Sequence, residues 1–547
     1  MLFSLLDEKG PVPPLAEEES QSQATELGRS GDLQVYPESV AATGEAIFFL
    51  GRKGVYKFLG IVFKDRNSTV ADFVGEGQAI SLEGQGFTLK LCPTNHANAV
   101  ALRAALPYTA PQVLGLQKSV GCGDRLGLAT AGHVRAVRQF SGIAPIFAQQ
   151  SVRENARTGR TPQQVLDDAT WGVFQEGWRQ PWGADADHLK TPADVDSFVS
   201  AGYTFYTIDP GDHVDNEAHT AAHEALVDKV HALPWDVLED TPQALNERYL
   251  ERTFDPGEGF ELAFSEEILL RAAAKYGRAI AHTVQMYRHL VNRIGDKPFE
   301  LEVSVDETET PTSPHEHFFV ASELKRLGVQ WVSLAPRYIG RFEKGVDYSG
   351  DLARFEAEFV KHAAIARHLG PYKLSLHSGS DKFSIYPIIA RHAGDLVHLK
   401  TAGTSYLEAL RAIAGIDPPL FREILAFAHE RYGEDKATYH VSADPAKVPA
   451  PDQLADSELA GVLDLFDGRQ VLHVTFGSVL TARDKSGGYR FRDRVLGALR
   501  ANEETYYAAL EHHFARHLAP FAHATRNTHH APRTTHHASR ITHHALM

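Results

Sequence analysis

FELEVSVDE (299–307) and YKLSLHSGSDK (372–382) decide the fold, because apolar and polar residues alternate along each run and ionisable side chains stand at its end. Six further apolar runs end in the same way, and helical stretches separate them all: VLGLQKSVGCGDR (113–125), IAPIFAQQ (143–150), WGADADH (182–188), YTFYTIDPGDH (203–213), VQWVSLAPR (329–337) and DLVHLKT (395–401). Eight strands alternating with helices predict an α/β fold, a (β/α)8 barrel of the TIM type. The active site of such a barrel lies at the carboxyl ends of its strands.

The chain before the barrel differs in composition from the barrel itself. Residues 1–32 are polar and acidic, which predicts a disordered acidic arm. Residues 33–110 predict a small N-terminal β-rich subdomain, with a hairpin around Gly51 and Gly54. The barrel is then predicted to span residues 111–404.

Helical additions are predicted within and after the barrel. The connection after the fourth strand, residues 210–298, contains a long run of helical spacing with Ser265 as its N-cap. This helical insertion is compatible with a lid, a dimer contact or a scaffold extension. The sequence therefore leaves open whether the protein is a homo-oligomer. Residues 405–520 predict a mostly helical extension with a strand-like piece, VLHVTFGSVL (471–480). The THHA repeats predict a disordered His-rich tail over 521–547.

Composition excludes several classes of partner. The 547 residues carry a net charge of −15, which argues against nucleic acid. No window approaches about 18 uninterrupted apolar residues, so we expect no membrane span. The start, MLFSLLDEKG, lacks the basic region of a signal peptide, and Cys92 and Cys122 give no disulfide framework. These features favour the reducing cytoplasm.

GCGDRLG (121–127) is the first candidate functional turn. Its glycines allow the backbone to approach a ligand, but the spacing is not that of a dinucleotide-binding loop. Asp124 at the strand end could act as a general base. The alternative is an Asx-turn in which Arg125 is a salt-bridge partner. The position at the mouth of the barrel favours function.

Histidines at strand ends predict a metal site. His188 follows Asp187 in ADADHLK, and His377 and His398 stand near the ends of neighbouring strands. Imidazole and carboxylate together suit a divalent cation such as Zn, Mn, Ni or Fe. A single histidine on a strand is usually a core residue, whereas three around one mouth favour a metal. Two weaker candidates start a predicted helix: His315 and His317.

The run ELEVSVDE places Glu302 and Asp306 on the polar face of a strand, opposite Val303 and Val305. In a barrel the polar face is directed toward the lumen. A carboxylate there is costly unless it is paired or bound to a metal, so both are functional candidates. A structural network with a lysine or arginine is the alternative.

Cations at the same mouth would suit an acidic sugar. Arg337, Lys382 and Lys400 are the candidates, and arginine is the better partner for a carboxylate. Further strand-end groups are predicted to contact the substrate: Arg125, Gln150, Asp187, Asp306, Ser378 and Asp381. The chain has no Walker A loop, no G-x-S-x-G and no C-x-x-C, which argues against a nucleotide cofactor, a serine hydrolase and a dithiol redox enzyme.

Eight stretches together resemble the tagaturonate/fructuronate epimerases, metal-dependent hexulose or hexulosonate 4-epimerases. They are GCGDRLGLATAGH, FAQQSVREN, DADH, TFYTIDPGDHVDN, SVDETETPTSPHEHFF, LGVQWVSLAPRYIGRFEKGVDYSGDL, YKLSLHSGSDKFSIYP and HLKTAGTSYLEALR. The similarity runs from about residue 34 to 515 and excludes the acidic arm and the tail. It implies a barrel, a divalent metal and the interconversion of D-tagaturonate and D-fructuronate, or of the related hexuloses tagatose and fructose.

The implied reaction constrains the chemistry. The inverted carbon is β to the ketone, so its C–H is not acidified, and a retro-aldol route is more economical than direct deprotonation. A base would take the hydroxyl proton, the adjacent C–C bond would break, and the aldehyde would turn before the bond forms again. With the metal as Lewis acid on the ketone oxygen, we assign Asp124 as proton acceptor and Glu302 as proton donor, with Asp306 able to replace Glu302. The assigned metal ligands are His188, His377 and His398.

Three alternatives remain. An aldose–ketose isomerase like xylose isomerase and a class II aldolase share the barrel and the metal. A non-catalytic sugar-binding barrel belongs to another class, but polar residues at almost every strand end argue against it.

Overall fold

A computed structural model describes residues 16–64, 68–82, 84–377, 381–401, 403–521 and 523–524. Its N-terminal part is a six-stranded antiparallel sheet of order β1-β3-β4-β6-β5, with β2 beside β3. Its elements are α1 (Glu17–Gly31), β1 (Gln34–Val35), β2 (Ala41–Thr43), β3 (Ala46–Lys53), β4 (Tyr56–Phe63), α2 (Ser68–Ala71), β5 (Glu76–Leu82), β6 (Gln85–Pro93) and α3 (His96–Ala105). The predicted hairpin is confirmed: β3 and β4 are joined at Gly54, whose φ of 62° favours glycine.

Helix α1 corrects the expectation of a disordered arm for residues 17–31. Successive side chains of a strand point to opposite faces, so Phe49 of β3 faces away from Phe48. Phe49 packs in a cluster with Ala24 and Leu27 of α1, whereas Phe48 packs with α3. The polar segment therefore folds because its few apolar residues, at helical spacing, cover one face of the sheet.

All eight predicted barrel strands are present, in a closed parallel barrel of order β10-β11-β14-β15-β16-β17-β7-β9. The strands of this part are β7 (Ser119–Gly121), β8 (Phe140–Ser141), β9 (Ala144–Ser151), β10 (Gly183–Leu189), β11 (Phe205–Ile208), β12 (Thr253–Phe254), β13 (Leu262–Ala263), β14 (Glu300–Val305), β15 (Ser333–Pro336), β16 (Lys373–Leu376) and β17 (Val397–Lys400). The helices are α4 (Thr130–Arg138), α5 (Val152–Thr158), α6 (Pro162–Gln175), α7 (Pro192–Ala201), α8 (His223–His231), α9 (Pro242–Tyr249), α10 (Glu266–Ile294), α11 (Pro314–Arg326), α12 (Leu352–Leu369) and α13 (Tyr386–Ala393).

The predicted insertion is helical. Ser265 Oγ accepts a hydrogen bond from Ile268 N at 3.3 Å, which makes it the N-cap of α10. Helix α10 packs between α7 and α11 and is therefore the barrel's own helix between β11 and β14. This position supports the scaffold interpretation for this helix. No helix in the described ranges is both long and apolar enough to cross a membrane.

The longer elements of the C-terminal extension are all helices: α14 (Thr404–Ile416), α15 (Pro418–Asp435), α16 (Phe466–Val474), α17 (Phe476–Thr481), α18 (Arg492–Ala501) and α19 (Glu503–Leu518). The predicted strand at 471–480 is wrong, because this run forms the end of α16 and most of α17. Its apolar side chains are buried. A short helix that is buried on most sides is as rich in apolar residues as a buried strand, so composition does not distinguish the two.

The chain beyond residue 520 also differs from the prediction. Phe521 is 4% exposed, and its ring centroid lies 5.2 Å from that of Tyr386. The short strand β18 (His523–Ala524) pairs with β8. The predicted tail therefore begins too early, and its remainder, residues 525–547, lies outside the described residues.

Candidate active site

A buried ammonium group organises the carboxyl end of the barrel. Lys400 Nζ lies 2.7 Å from Asp187 Oδ1, 2.7 Å from Glu302 Oε1 and 3.0 Å from Asp185 Oδ2. It also donates to Thr207 Oγ1 at 2.7 Å. An ammonium has three protons, and four acceptors already surround this one. Lys400 therefore ties β10, β11, β14 and β17 together and has no proton left for the substrate, contrary to the predicted role.

His377 lies between two carboxylates, Glu302 on β14 and Asp306 directly after this strand. Its Nε2 is 2.5 Å from Glu302 Oε1, and its Nδ1 is 3.4 Å from Asp306 Oδ1 and 3.3 Å from Ser304 Oγ. Glu302 is fully buried, whereas the Asp306 side chain is 22% exposed. Both predicted carboxylates thus meet at one histidine, and only Asp306 reaches the cavity above.

His188 occupies an irregular position at the end of β10. Its φ of 57° is left-handed, and the pairing of β10 with β11 shifts register between Ala186 and Leu189. A bulge of this kind re-aims a side chain. His188 Nδ1 lies 2.7 Å from Asp187 Oδ1, and its ring centroid is 5.0 Å from that of His377. Asp187 also accepts from Gln149 Nε2 at 2.9 Å and orients this histidine, and its predicted contact with the substrate stays a prediction.

Opposite charges set the protonation states of this network. Burial alone would lower the pKa of His188, but Asp187 raises it to about 10. Burial alone would raise the pKa of Glu302, but Lys400 and then His377 hold it well below its usual range. These charges favour the ionised form of Glu302, and its predicted role as proton donor stays a prediction. Burial raises the pKa of Asp185 to about 7 against the opposing effect of Lys400.

Two sets of donor atoms that share His188 could hold a metal ion. One set is Asp187, His188 and His377, and the other is His188, Asp209 and Glu307; within each set the atoms lie within 4.8 Å of one another. Asp209 Oδ2 is buried and has no hydrogen-bond partner among the described residues. Lys190 Nζ lies 3.6 Å from this oxygen, too far for a hydrogen bond, and a bound cation would satisfy the oxygen more fully. Imidazole and carboxylate donors fit a divalent ion.

A cavity of about 620 Å³ opens above His188 and His377. Four cationic side chains line it: Arg153, Arg337, Arg341 and Lys344. Arg153 pairs with Glu307 at 3.1 Å, whereas neither the ammonium of Lys344 nor the guanidinium of Arg337 has a hydrogen-bond partner among the described side chains and backbone. Arg337 was predicted, but Arg153 and Lys344 were missed, although both follow strand ends in FAQQSVREN and RFEKGVD.

Asp124 belongs to a turn and not to the cavity. Its Oδ1 accepts from Leu126 N at 2.9 Å and from Gly127 N at 2.8 Å, and its Oδ2 accepts from Ala129 N at 2.7 Å. This is the Asx-turn alternative, and it contradicts the predicted role of proton acceptor. Arg125 pairs with Glu154 Oε1 at 2.6 Å, as that alternative expects.

Two more predicted residues lie away from the mouth. Gln150 pairs in register with Ala186, whose side chain packs in the core outside the barrel, so Gln149 and not Gln150 faces the lumen. His398 is deeper in the barrel, with Nδ1 2.9 Å from Ser119 Oγ, and burial lowers its pKa to about 3. It belongs to neither donor set, so the structure does not support it as a ligand alongside His188.

The residues after β16 also differ from the prediction. Lys382 Nζ donates to Glu343 O at 2.8 Å and so fastens the loop that carries Lys344. Asp381 accepts from His513 Nε2 at 2.8 Å, in a buried cluster apart from the cavity lining. Neither side chain is placed to bind substrate, and Ser378 lies outside the described residues.

The two histidines of α11 are not ligands of this site. His317 Nδ1 lies 2.9 Å from His362 Nδ1, and its Nε2 lies 2.8 Å from Tyr372 Oη. His315 packs against Phe264. As predicted, both stand at the start of a helix, outside the lumen.

Comparisons with known proteins show the family of this chain. The sequence model of the UxaE family, tagaturonate epimerase, matches residues 36–521. A tagaturonate/fructuronate epimerase from Thermotoga maritima is 44% identical over 485 residues, which cover 89% of this chain and 96% of that protein. Crystal structures of the fructuronate-tagaturonate epimerase UxaE from Cohnella laeviribosi, native and with glycerol, match at a TM-score of 0.84 and 38% identity, covering 92% of this chain and 99% of theirs. The chain therefore belongs to the tagaturonate epimerase family.

Proposed function

We propose that this protein interconverts tagaturonate and fructuronate at the mouth of its barrel, with a divalent metal ion bound through His188. The observation that carries the proposal is that His188 belongs to two carboxylate-containing donor sets, directly below a cavity with four cationic side chains. Two of these cations, Arg337 and Lys344, have unused donors that suit the carboxylate of a hexulosonate, a group that a neutral sugar lacks.

The substrate orientation follows from the charges of the cavity. Lys344 and Arg337 have unused donors for the substrate carboxylate, and Arg153 is already held by Glu307. The donor sets lie at the bottom of the same cavity, so the ketone end would be directed toward His188. This orientation favours a uronate over tagatose or fructose.

Metal binding would supply Lewis-acid chemistry at the ketone oxygen. Asp306 is the proton acceptor in this proposal, because it lines the cavity and because His377 helps to hold its pKa low against burial. His377 connects Asp306 with Glu302, so a proton can pass between the two sides of the imidazole. Glu302 and Lys400 position that imidazole and do not touch the substrate.

Metal analysis separates the two donor sets. His188→Ala should remove the mouth metal and activity together, because both sets contain this residue. His377→Ala should remove the metal if the first set holds it, and Glu307→Gln should do so if the second does. A metal still bound at the mouth in His188→Ala would contradict the proposal.

The reaction itself is tested by proton NMR of the purified protein with tagaturonate. Fructuronate as the sole product supports the epimerase, an aldose would support an isomerase, three-carbon products would support an aldolase, and no change would support a binding protein. Substrate deuterated at the inverted carbon should keep its label in water, because that proton never leaves its carbon in the retro-aldol route. Loss of label at the rate of epimerisation would refute that route.

A further inference from the structure

A second cluster of imidazole and carboxylate groups lies between the barrel and the C-terminal extension. Asp381 follows β16, and His513 and His517 stand one turn apart on α19. Their exposed fractions are 5%, 3% and 0%. None of the three lines the cavity at the mouth, so the cluster is separate from the candidate active site.

The distances within this cluster are those of a ligand set. Asp381 Oδ1 lies 2.8 Å from His513 Nε2 and 3.2 Å from His517 Nε2, and the two Nε2 atoms are 3.2 Å apart. Zinc bonds to nitrogen and oxygen are about 2.0–2.1 Å long, so tetrahedral ligands are separated by roughly 3.3 Å. Three donor atoms therefore stand near the corners that one small ion requires.

Each protonation state of the two imidazoles leaves one repulsive contact in this cluster. If both Nε2 atoms carried protons to donate to Asp381, two N–H groups would also face each other at 3.2 Å. If only one is protonated, the other points a lone pair at a carboxylate. A cation removes both conflicts, because it accepts lone pairs from all three atoms at once.

The surroundings hold each donor in the orientation that a metal needs. His513 Nδ1 lies 3.3 Å from Glu408 Oε1, and His517 Nδ1 lies 2.9 Å from Tyr386 Oη. The other oxygen of Asp381 accepts from Arg469. Metal-bound histidines usually donate their second nitrogen to such partners, which fix the tautomer with Nε2 free to ligate.

We propose that Asp381, His513 and His517 bind a divalent ion of the zinc type, which fastens the segment after β16 to helix α19. The histidines have the i, i+4 spacing that places two ligands on one helical face. Asp381 lies four residues after His377. The ion would therefore stabilise the anchor of the segment that carries an active-site histidine, whether or not the proposed epimerase reaction is correct.

Zinc alone is the probe for this site. The experiment uses the full-length chain with the paired histidines at 529–530, 536–537 and 543–544 changed to serine, so that the repeats hold no metal. The protein is stripped with a chelator, reloaded with zinc and desalted, and zinc per chain is measured by mass spectrometry. His517→Gln should hold about one equivalent less than the unsubstituted protein, whereas His512→Gln, an exposed neighbour on the same helix, should hold the same amount.

A second variant decides the matter if His517→Gln does not fold. His188→Ala/His377→Ala, which lacks histidines of the mouth, should retain one zinc equivalent, and zinc should raise its melting temperature. Zinc content that is equal in His517→Gln and His512→Gln, or no zinc in His188→Ala/His377→Ala, would overturn the proposal. Neither readout uses activity, so failure of the proposed function would be seen separately.

Discussion

Replacing Lys400 by methionine tests the charge network below the candidate active site. The ammonium is the shared partner of Asp185, Asp187 and Glu302. Removing one partner of a buried ion pair costs about 3–5 kcal/mol, because the other charge is left in a medium of low polarity. Three independent losses would add to a far larger value than a protein of ordinary stability can tolerate.

The energetic costs of losing the three ion pairs of Lys400 should not add. Asp187 keeps its contact with His188 at 2.7 Å, and Glu302 keeps His377 at 2.5 Å. Asp185, whose pKa is already raised to about 7, can take up a proton. We therefore expect Lys400→Met to lower the free energy of unfolding by the cost of about one broken pair, about 3–5 kcal/mol near pH 8.

The loss should depend on pH. In the unsubstituted protein the pKa of Glu302 is depressed, so this carboxylate contributes stability above its unfolded pKa and loses that contribution as pH falls through the folded pKa. Without Lys400, the largest charge that opposes burial is lost, so the folded pKa of Glu302 should rise and the stability that the ionised carboxylate contributes above its unfolded pKa should shrink. The difference between the two proteins should therefore be small near pH 5 and largest near pH 8.

Urea unfolding followed by circular dichroism, on chelator-treated protein, measures this difference. The matched control is Lys400→Met/Glu302→Gln, which removes a carboxylate whose largest stabilising charge was Lys400 and should recover part of the loss near pH 8. An equal loss at both pH values, or a loss below about 1 kcal/mol, would refute the reasoning.

Three further substitutions test individual assignments. Asp124→Asn should leave kcat near the unsubstituted value but cost about 1–3 kcal/mol in urea unfolding, because an amide cannot accept from all three backbone N–H groups; a fall in kcat of about 10²-fold would restore its role as base. Lys344→Met should raise KM for tagaturonate by about 10- to 100-fold in steady-state kinetics, with exposed Lys361→Met as control, and an unchanged KM would exclude it from substrate binding. Phe521→Ala should lower the free energy of unfolding in urea by about 3–5 kcal/mol, whereas ending the chain at residue 524 should leave the melting temperature unchanged. If the truncation destabilised the protein and Phe521→Ala did not, Phe521 would belong to the tail as predicted.

Periodicity along the chain was by itself enough to determine the barrel. Alternation with period two marks the lumen side of each strand, and it correctly directed Glu302, Asp306 and His377 inward. The same pattern assigned the rim position of His188. Local signals also identified Ser265 as an N-cap, because a cap depends only on the residues that follow it.

Only the tertiary structure decided which of these inward groups meet. Period two gives the face of a strand but not the depth, and depth depends on the stagger of neighbouring strands. Lys400 and His398 share a face of β17, yet one reaches three carboxylates at the mouth and the other reaches Ser119. Asp381 is a second contact that the sequence pattern could not predict. Its partner His513 lies 132 residues later, on a helix that no local pattern connects to β16.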